Sequence, residues 1–377
     1  MEIIGIDPPR SLVMSVSVEE KDPVYFNYYG QLQHQQNMLE DHVRTEAYYR
    51  AITENRDAFE GKVVLDVGTG TGILSFFAAQ AGAKKVYAVE GSIAMARNAE
   101  ILVEANGLSE VIKVIKGKIE DIELPEKVDV IISEPMGVLL FHERMIESFL
   151  FARNKFLKPE LLGNRMSLFP GIGSISLAPF TDGLMYSDFK SRSKFWGNES
   201  FYGVNLSSMK KISEEQIFRQ PVVGGFDPKT LMSESVKKSF EFYKKEVNEE
   251  VLKEILIQFE FLMEFTGVIH GLAGWFNVTF PKVDGTSFIL ETGPENTRTH
   301  WQQCRFFFRK PIGVNHGQLF KGALKMKINE ERSYNVVIEG KVNDVEVMEA
   351  FALHEQQYFN LSPTEYPELS SECYNLY

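Results

Sequence analysis

An apolar run that ends in alternating glycines and turns straight into an apolar-faced helix admits few folds. Residues 62–79 read Lys-Val-Val-Leu-Asp-Val-Gly-Thr-Gly-Thr-Gly-Ile-Leu-Ser-Phe-Phe-Ala-Ala. The pattern predicts a buried strand, a tight turn at Gly68, Gly70 and Gly72, and a helix whose N-terminus faces that turn. Close backbone approach and a helix N-terminus together suit an anionic group. The spacing is G-x-G-x-G, not the G-x-G-x-x-G of dinucleotide folds. A second apolar run, Val86-Tyr-Ala-Val-Glu90, ends in an acid suited to paired ribose hydroxyls. Lys116-Gly-Lys-Ile-Glu120 follows, and then Val128-Asp-Val-Ile-Ile132, which reads as a buried parallel strand. Such an α/β unit takes its ligand at the C-terminal ends of its strands.

The fourth run leads into Ser133-Glu-Pro-Met-Gly-Val-Leu-Leu-Phe-His-Glu-Arg-Met145, and an amphipathic helix is expected from Ile146. Glu134 and Glu143 bracket a loop that Pro135 and Gly137 make stiff and tightly turned. Two such acids are either solvated loop residues or a paired receptor. A planar cation with two bidentate faces, guanidinium, is the natural guest for a pair.

The 377 residues suffice for one large or two medium domains, with 44% hydrophobic and 24% charged content. A net charge of −12 argues against direct nucleic-acid binding and favours basic partners. Two cysteines, Cys304 and Cys373, form neither a disulfide framework nor a metal cluster, which points to a reducing compartment without metal. The N-terminal stretch, broken by Pro8 and Pro9, does not read as a signal peptide, and no membrane span is expected.

After Pro170 the pattern changes to runs such as Ser174–Ala178, Ile255–Phe261, Gly274–Phe280, Ser287–Leu290, Arg305–Phe308 and Tyr334–Glu339. Many strands without intervening helices predict an antiparallel barrel or sandwich. Between them, residues 181–211 carry Met185, Tyr186, Phe189, Phe195, Trp196, Phe201 and Tyr202, which is either a satellite core or a docking element. The expected divisions are a lead-in at 1–21, an α/β domain with N-terminal helices at 22–165, a barrel at 166–354 and a polar tail at 355–377.

Glu134-Pro-Met-Gly and Phe141-His-Glu-Arg-Met resemble the double-glutamate loop of the protein arginine N-methyltransferases. Asp66 before the glycines resembles the S-adenosylmethionine motif of class I methyltransferases. Pro135, Tyr25-Phe-Asn-Tyr-Tyr-Gly, Gln35-Gln-Asn-Met, Phe218-Arg-Gln-Pro-Val-Val and Thr299-His-Trp are similar to the coactivator-associated branch, over roughly residues 22–345. The resemblance implies a Rossmann-like methyltransferase domain followed by a β-barrel with a helical dimerisation arm at 181–211, and a homodimer. It implies a lid formed by residues 25–49, with Tyr25, Tyr29 and Met38 along an arginine channel and Gln35 and Arg44 on the cofactor. Tyr25 and Met38 would also border the cofactor, together with Asp66, Gly68, Gly70, Glu90, Ile119, Glu120 and Ser148. Glu134, Glu143, Met145, Tyr29 and a His300–Asp41 pair would form the catalytic set.

Three features depart from the family pattern: an extra residue after Glu90, Val138 in place of tyrosine, and a lengthened connection at 159–170. The activity implied is type I, giving mono- and asymmetric dimethylarginine in proteins such as histones or RNA-processing proteins, in nucleus and cytoplasm. The rival readings are a catalytically weak dimeric scaffold that binds arginine-rich proteins, and a methyltransferase for small molecules.

Overall fold

The computed structural model describes residues 25–359. The lead-in at 1–21 and most of the tail lie outside them. Five parallel strands form the first sheet: β1 (Val63–Val67), β2 (Lys85–Glu90), β3 (Ile112–Lys116), β4 (Val130–Ser133) and β5 (Leu168–Phe169). Their order is β3-β2-β1-β4-β5. All five residues of β1 are buried, as expected of a strand covered on both faces. Val67 pairs with both Val89 and Ser133. The ends of β1, β2 and β4 are therefore level, and the strand order reverses beside β1, where such sheets open a crevice.

The expected lid segment, 25–49, is broken into short helical pieces. Residues 25–29 make a helical turn, Leu32–Glu40 a helix, and His42–Thr53 a second helix. Asp41 separates the two helices because its side chain accepts the backbone N–H of Arg44 at 3.0 Å, capping the second one.

Since β5 belongs to the parallel sheet, that sheet extends past the expected boundary at 165. The lengthened connection is two short 3-10 turns, Pro159–Leu161 and Arg165–Ser167. Eleven further strands follow, β6 (Ile172–Phe180), β7 (Val222–Gly224), β8 (Val236–Glu241), β9 (Glu254–Leu262), β10 (Gly267–Pro281), β11 (Ser287–Glu291), β12 (Gln303–Val314), β13 (Leu319–Ile328), β14 (Tyr334–Val342), β15 (Val345–Ala352) and β16 (Gln357–Tyr358). They form a sheet ordered β16-β7-β12-β10-β6-β8, with β11 on β10, and a sheet ordered β15-β14-β13-β9. Pairing is antiparallel except for β16 on β7. The strict alternation of buried and exposed residues along β9 is the sign of one face packed and one solvated. The barrel-like unit thus runs to Tyr358, beyond the expected 354.

One apolar core spans both units. Phe141 meets Phe240 edge-on at 4.9 Å, and Tyr48 meets Phe280 likewise. Buried Arg153 donates to the carbonyl of Phe242 at 2.5 Å, and Asn55 to that of Pro281 at 2.7 Å. The aromatic insertion is a pair of helices, Gly183–Phe195 and Lys210–Arg219, placed between β6 and β7. Both readings of it have support. Met185 and Phe189 join a small core with Phe180, Phe218 and Phe307, while Leu184 and Tyr202 are about nine-tenths exposed, at 89% and 94%.

Candidate active site

A cavity of about 990 Å³ opens at the C-terminal ends of β1, β2 and β4. Its lining includes Gly68, Gly70, Glu90, Ile119, Glu120, Glu134, Glu143, Met145, Ser148 and His300 of the expected set. Tyr25, Tyr29, Gln35, Met38 and Arg44 join them from the helical lead-in. Asp41 and Asp66 are not part of the lining.

Gly68 and Gly70 have φ of +70° and +57°. A Cβ at Gly68 would stand 2.8 Å from Met145 Cε, and one at Gly70 2.7 Å from Gln35 Oε1. Only glycine combines that backbone with such close approach. Gly70 N–H donates to Glu90 Oε2 at 2.9 Å, and Ser92 N–H to Glu90 Oε1 at 2.7 Å. The acid at the end of β2 is thereby fixed by backbone donors and retains lone pairs directed elsewhere. Burial raises its pKa, against the pull of those two donors.

Asp66 is fully buried beneath the turn. Its Oδ2 accepts the hydroxyls of Thr69 at 2.6 Å and Ser75 at 2.7 Å, while its Oδ1 has no hydrogen-bond partner among the described residues. Burial pushes its pKa up to about 6. Asp66, expected on the cofactor, braces the glycine turn from behind.

The loop after β4 is strained. Leu139, Leu140, Glu143 and Arg144 all have left-handed backbone, at φ +53°, +71°, +72° and +58°. Each such non-glycine residue costs on the order of 1–2 kcal/mol, so the surroundings must hold the loop. Tyr48 donates to the carbonyl of Ser133 at 2.8 Å, and Trp301 Nε1 to that of Met136 at 2.9 Å. His142 Nδ1 lies 2.8 Å from Ser333 Oγ. Burial holds His142 neutral, with its pKa lowered to about 4. The barrel therefore clamps a loop that begins on the parallel sheet.

Within this loop the two acids have different partners. Glu143 accepts the Tyr29 hydroxyl at 2.8 Å on each carboxylate oxygen. Its pKa is raised chiefly by burial and further by the charge of Glu134, with the Tyr29 hydrogen bond opposing. Burial and the charge of Glu143 in turn push the hydroxyls of Tyr25 and Tyr29 well above the ordinary tyrosine range. Glu134 Oε2 accepts from Arg44 Nε at 3.1 Å and from another guanidinium nitrogen at 2.9 Å. Arg44, expected on a cofactor carboxylate, is here the buried partner of Glu134. Its remaining donor reaches the carbonyl of Met38 at 3.2 Å. Ser148 donates to Glu120 at 2.6 Å, next to buried Ile119.

His300 approaches from the barrel. Its Nδ1 lies 2.7 Å from Asp41 Oδ2, and its backbone N–H donates to the same oxygen at 2.8 Å. Burial opposes ionisation of Asp41, but these bonds and the N–H of Arg44 prevail and lower its pKa. Val138 is buried and lines the cavity, so no hydroxyl is supplied there. Sequence reasoning missed the structural bond of Trp301, the position of Tyr358 on the cavity wall and Arg332, which also lines it. Arg332 sits in an ordinary polar turn, Asn-Glu-Glu-Arg-Ser, which carries no signal for a wall residue.

A parallel-sheet crevice with a glycine turn, an acid at the end of β2 and a carboxylate pair is the arrangement of the Rossmann-like methyltransferase fold. Residues 64–160 match a methyltransferase domain, and residues 177–344 match the arginine methyltransferase oligomerization subdomain. The chain is 44% identical over 331 residues to the histone-arginine methyltransferase CARMER of Drosophila grimshawi, covering 88% of this chain and 59% of that protein. Among solved structures, Arabidopsis thaliana protein arginine methyltransferase 10 is 34% identical, with a TM-score of 0.75 and coverage of 87% and 98%. The Trypanosoma brucei PRMT1 enzyme-prozyme heterotetrameric complex with AdoHcy is 31% identical, with a TM-score of 0.76 and coverage of 86% and 99%. The chain belongs to the protein arginine methyltransferase family. It spans about three-fifths of the length of the CARMER protein it matches.

Proposed function

We propose that the protein transfers methyl groups from S-adenosylmethionine to guanidino nitrogens of arginine in proteins, histones among them. The carrying observation is that Glu134 and Glu143 line one cavity with the glycine turn and Glu90. The residues present fit the cofactor. Glu90 would take the ribose hydroxyls, Ile119 and Glu120 the adenine, and Gly68 and Gly70 allow the backbone to approach. The unpartnered Asp66 Oδ1 below the turn is an acceptor of the kind an ammonium or a bridging water needs. When bound, S-adenosylmethionine supplies an electrophilic methyl on a sulfonium.

Guanidinium is cationic, delocalised and a poor nucleophile. Glu134 and Glu143 would hold it from two sides, draw positive charge away from one nitrogen and leave that nitrogen's electron pair available. Two fixed acids also offset the cost of bringing two cations together in a buried site. Tyr29 orients Glu143, and Arg44 orients Glu134, so both acids are positioned beforehand. Met38 and Met145 narrow the pocket, consistent with a type I product, asymmetric dimethylarginine. Asp41 would position His300 and tie the lid to the barrel, and the pair could take up the released proton.

The arm at 181–211, which the helices extend to Arg219, would dock onto a second copy through exposed Leu184, Phe201 and Tyr202, giving a homodimer. Domain limits near 25–169 and 170–358 follow the sheets. Action on histones would require the nucleus, with cytoplasmic protein substrates also open to it.

The test is methyl incorporation from labelled S-adenosylmethionine into histone H3 and a glycine-arginine-rich protein, with mass analysis of the product and Glu134→Gln as control. Asymmetric dimethylarginine that vanishes in the variant supports the reading. Cofactor binding without any incorporation would favour the scaffold instead.

A further inference from the structure

Arg332 lines the same cavity as Glu134 and Glu143 but belongs to the barrel. It sits in the turn between β13 and β14, with left-handed backbone at φ +50°. Asn329 Oδ1 accepts the N–H groups of Glu331 at 2.9 Å and Ser333 at 3.2 Å, which fixes the turn. Ser333 in turn touches His142, the residue before Glu143. The guanidinium carbon of Arg332 stands 4.5 Å from the centre of the Tyr25 ring, a cation–π contact. Burial raises the proton affinity of both Tyr25 and Glu143, and the charge of Arg332 is a smaller pull against it at each. A permanent cation is thus fixed on the wall beside the acid that would receive a substrate guanidinium.

We infer that Arg332 is a specificity-determining residue that favours target arginines with an acidic neighbour and disfavours those with a basic one. The inference deepens the arginine-methylating reading and rests on it. A bound arginine that reaches Glu143 brings its chain neighbours to the cavity, at about 3.3–3.6 Å of extended chain per residue. Neighbours that pass within a Debye length of Arg332, about 8 Å at physiological salt, would feel its charge. Arginine does not deprotonate, so the preference persists across the working pH range. Stacking on Tyr25 and the braced turn keep the charge from swinging away. The cavity is not uniformly acidic in consequence. Glu249 on another part of the lining has its pKa raised by burial first and then by the like charges of Glu147 and Glu120.

The test is binding of labelled peptides in the presence of S-adenosylhomocysteine. The peptides share one central arginine and carry aspartate, serine or lysine on either side of it, with a central-lysine peptide as the specificity control. The aspartate peptides should bind about tenfold more tightly than the lysine-flanked ones at low salt, with the ratio shrinking as salt rises. Arg332→Gln should bring the ratio near one, Arg332→Glu should invert it, and Arg332→Lys should largely keep it. An unchanged ratio in Arg332→Glu overturns the inference. So does wild-type binding that distinguishes arginine from lysine yet ignores the flanks, a result that leaves the transferase reading standing. A flank ratio that follows residue 332 in a protein that never transfers methyl supports the inference and overturns the transferase reading.

Discussion

Asp41 Oδ2 receives both the backbone N–H of His300, at 2.8 Å, and its ring Nδ1, at 2.7 Å, while Asp41 Oδ1 caps the helix that carries Arg44. One carboxylate therefore joins the lid helices to a barrel loop. Its lowered pKa means that it is ionised, so Nδ1 of His300 carries the proton.

Asp41→Asn separates charge from geometry, because asparagine caps helices about as well as aspartate. A carboxylate with a depressed folded-state pKa contributes stability above its unfolded value, near 3.9, and loses it as pH falls through the folded one. The variant should melt below wild type at neutral pH, and the gap should close as the pH drops below about 4. Thermal melts of both proteins across that range check this. A gap of constant size would remove the charge from the account.

Glu143 has the opposite sign. Its folded-state pKa is raised, so between the unfolded value, near 4.3, and the folded one the native state binds more protons and stability falls as pH rises. Glu143→Gln should therefore melt higher than wild type at neutral pH, with the advantage fading as pH falls through that window. The same substitution should reduce methyl transfer by about a hundredfold or more, as for loss of one preorganised electrostatic group. Stability and activity measured on one variant would move in opposite directions.

Tyr29→Phe removes the hydroxyl that Glu143 receives on both oxygens. A hydrogen bond to a charged group contributes about 1.5–3 kcal/mol, so transfer should slow by about tenfold or more. With the donor gone, the proton affinity of Glu143 rises further. The acidic limb of the pH–rate profile should then move to higher pH, whereas a purely steric role for Tyr29 would leave the limb in place.

The strand–glycine–helix run and the acid of β2 were legible because backbone conformation and burial dictate their residue types. The double-glutamate loop was legible through its residue pattern, although nothing in that pattern reveals four left-handed residues or the clamp by Trp301. Arg44 was legible as a fork-shaped cation suited to a cofactor carboxylate, yet its pairing with Glu134 arises from tertiary approach across 90 residues of chain. Asp66 was legible as the motif acid at a strand end, but the pattern does not show that its Oδ2 is taken by Thr69 and Ser75 of the turn. Strand β8, Val-Lys-Lys-Ser-Phe-Glu, was missed because it is a lysine-bearing edge strand with little apolar surface to bury. Two-residue β16 has too little sequence to show any period, though it brings Tyr358 to the cavity.

Two glycines that look equivalent in the sequence, Gly70 and Gly137, differ in what surrounds them. At Gly70 an added Cβ would meet only the far end of Gln35, a flexible side chain, but φ is +57°. Gly70→Ala should cost about 1–2 kcal/mol of backbone strain and weaken cofactor binding, with the protein still folded. At Gly137 the added Cβ would lie 2.1 Å from the carbonyl oxygen of His142, which is backbone and cannot rotate away. The loop must open there, and opening it changes the separation of Glu134 and Glu143 on either side. Gly137→Ala should thus abolish transfer while S-adenosylhomocysteine still binds with near wild-type affinity. Calorimetric titration of both variants, read against their methyl-transfer rates, distinguishes the cases. If Gly137→Ala kept its rate, the close fold-back of this loop would not be what holds the two acids in register.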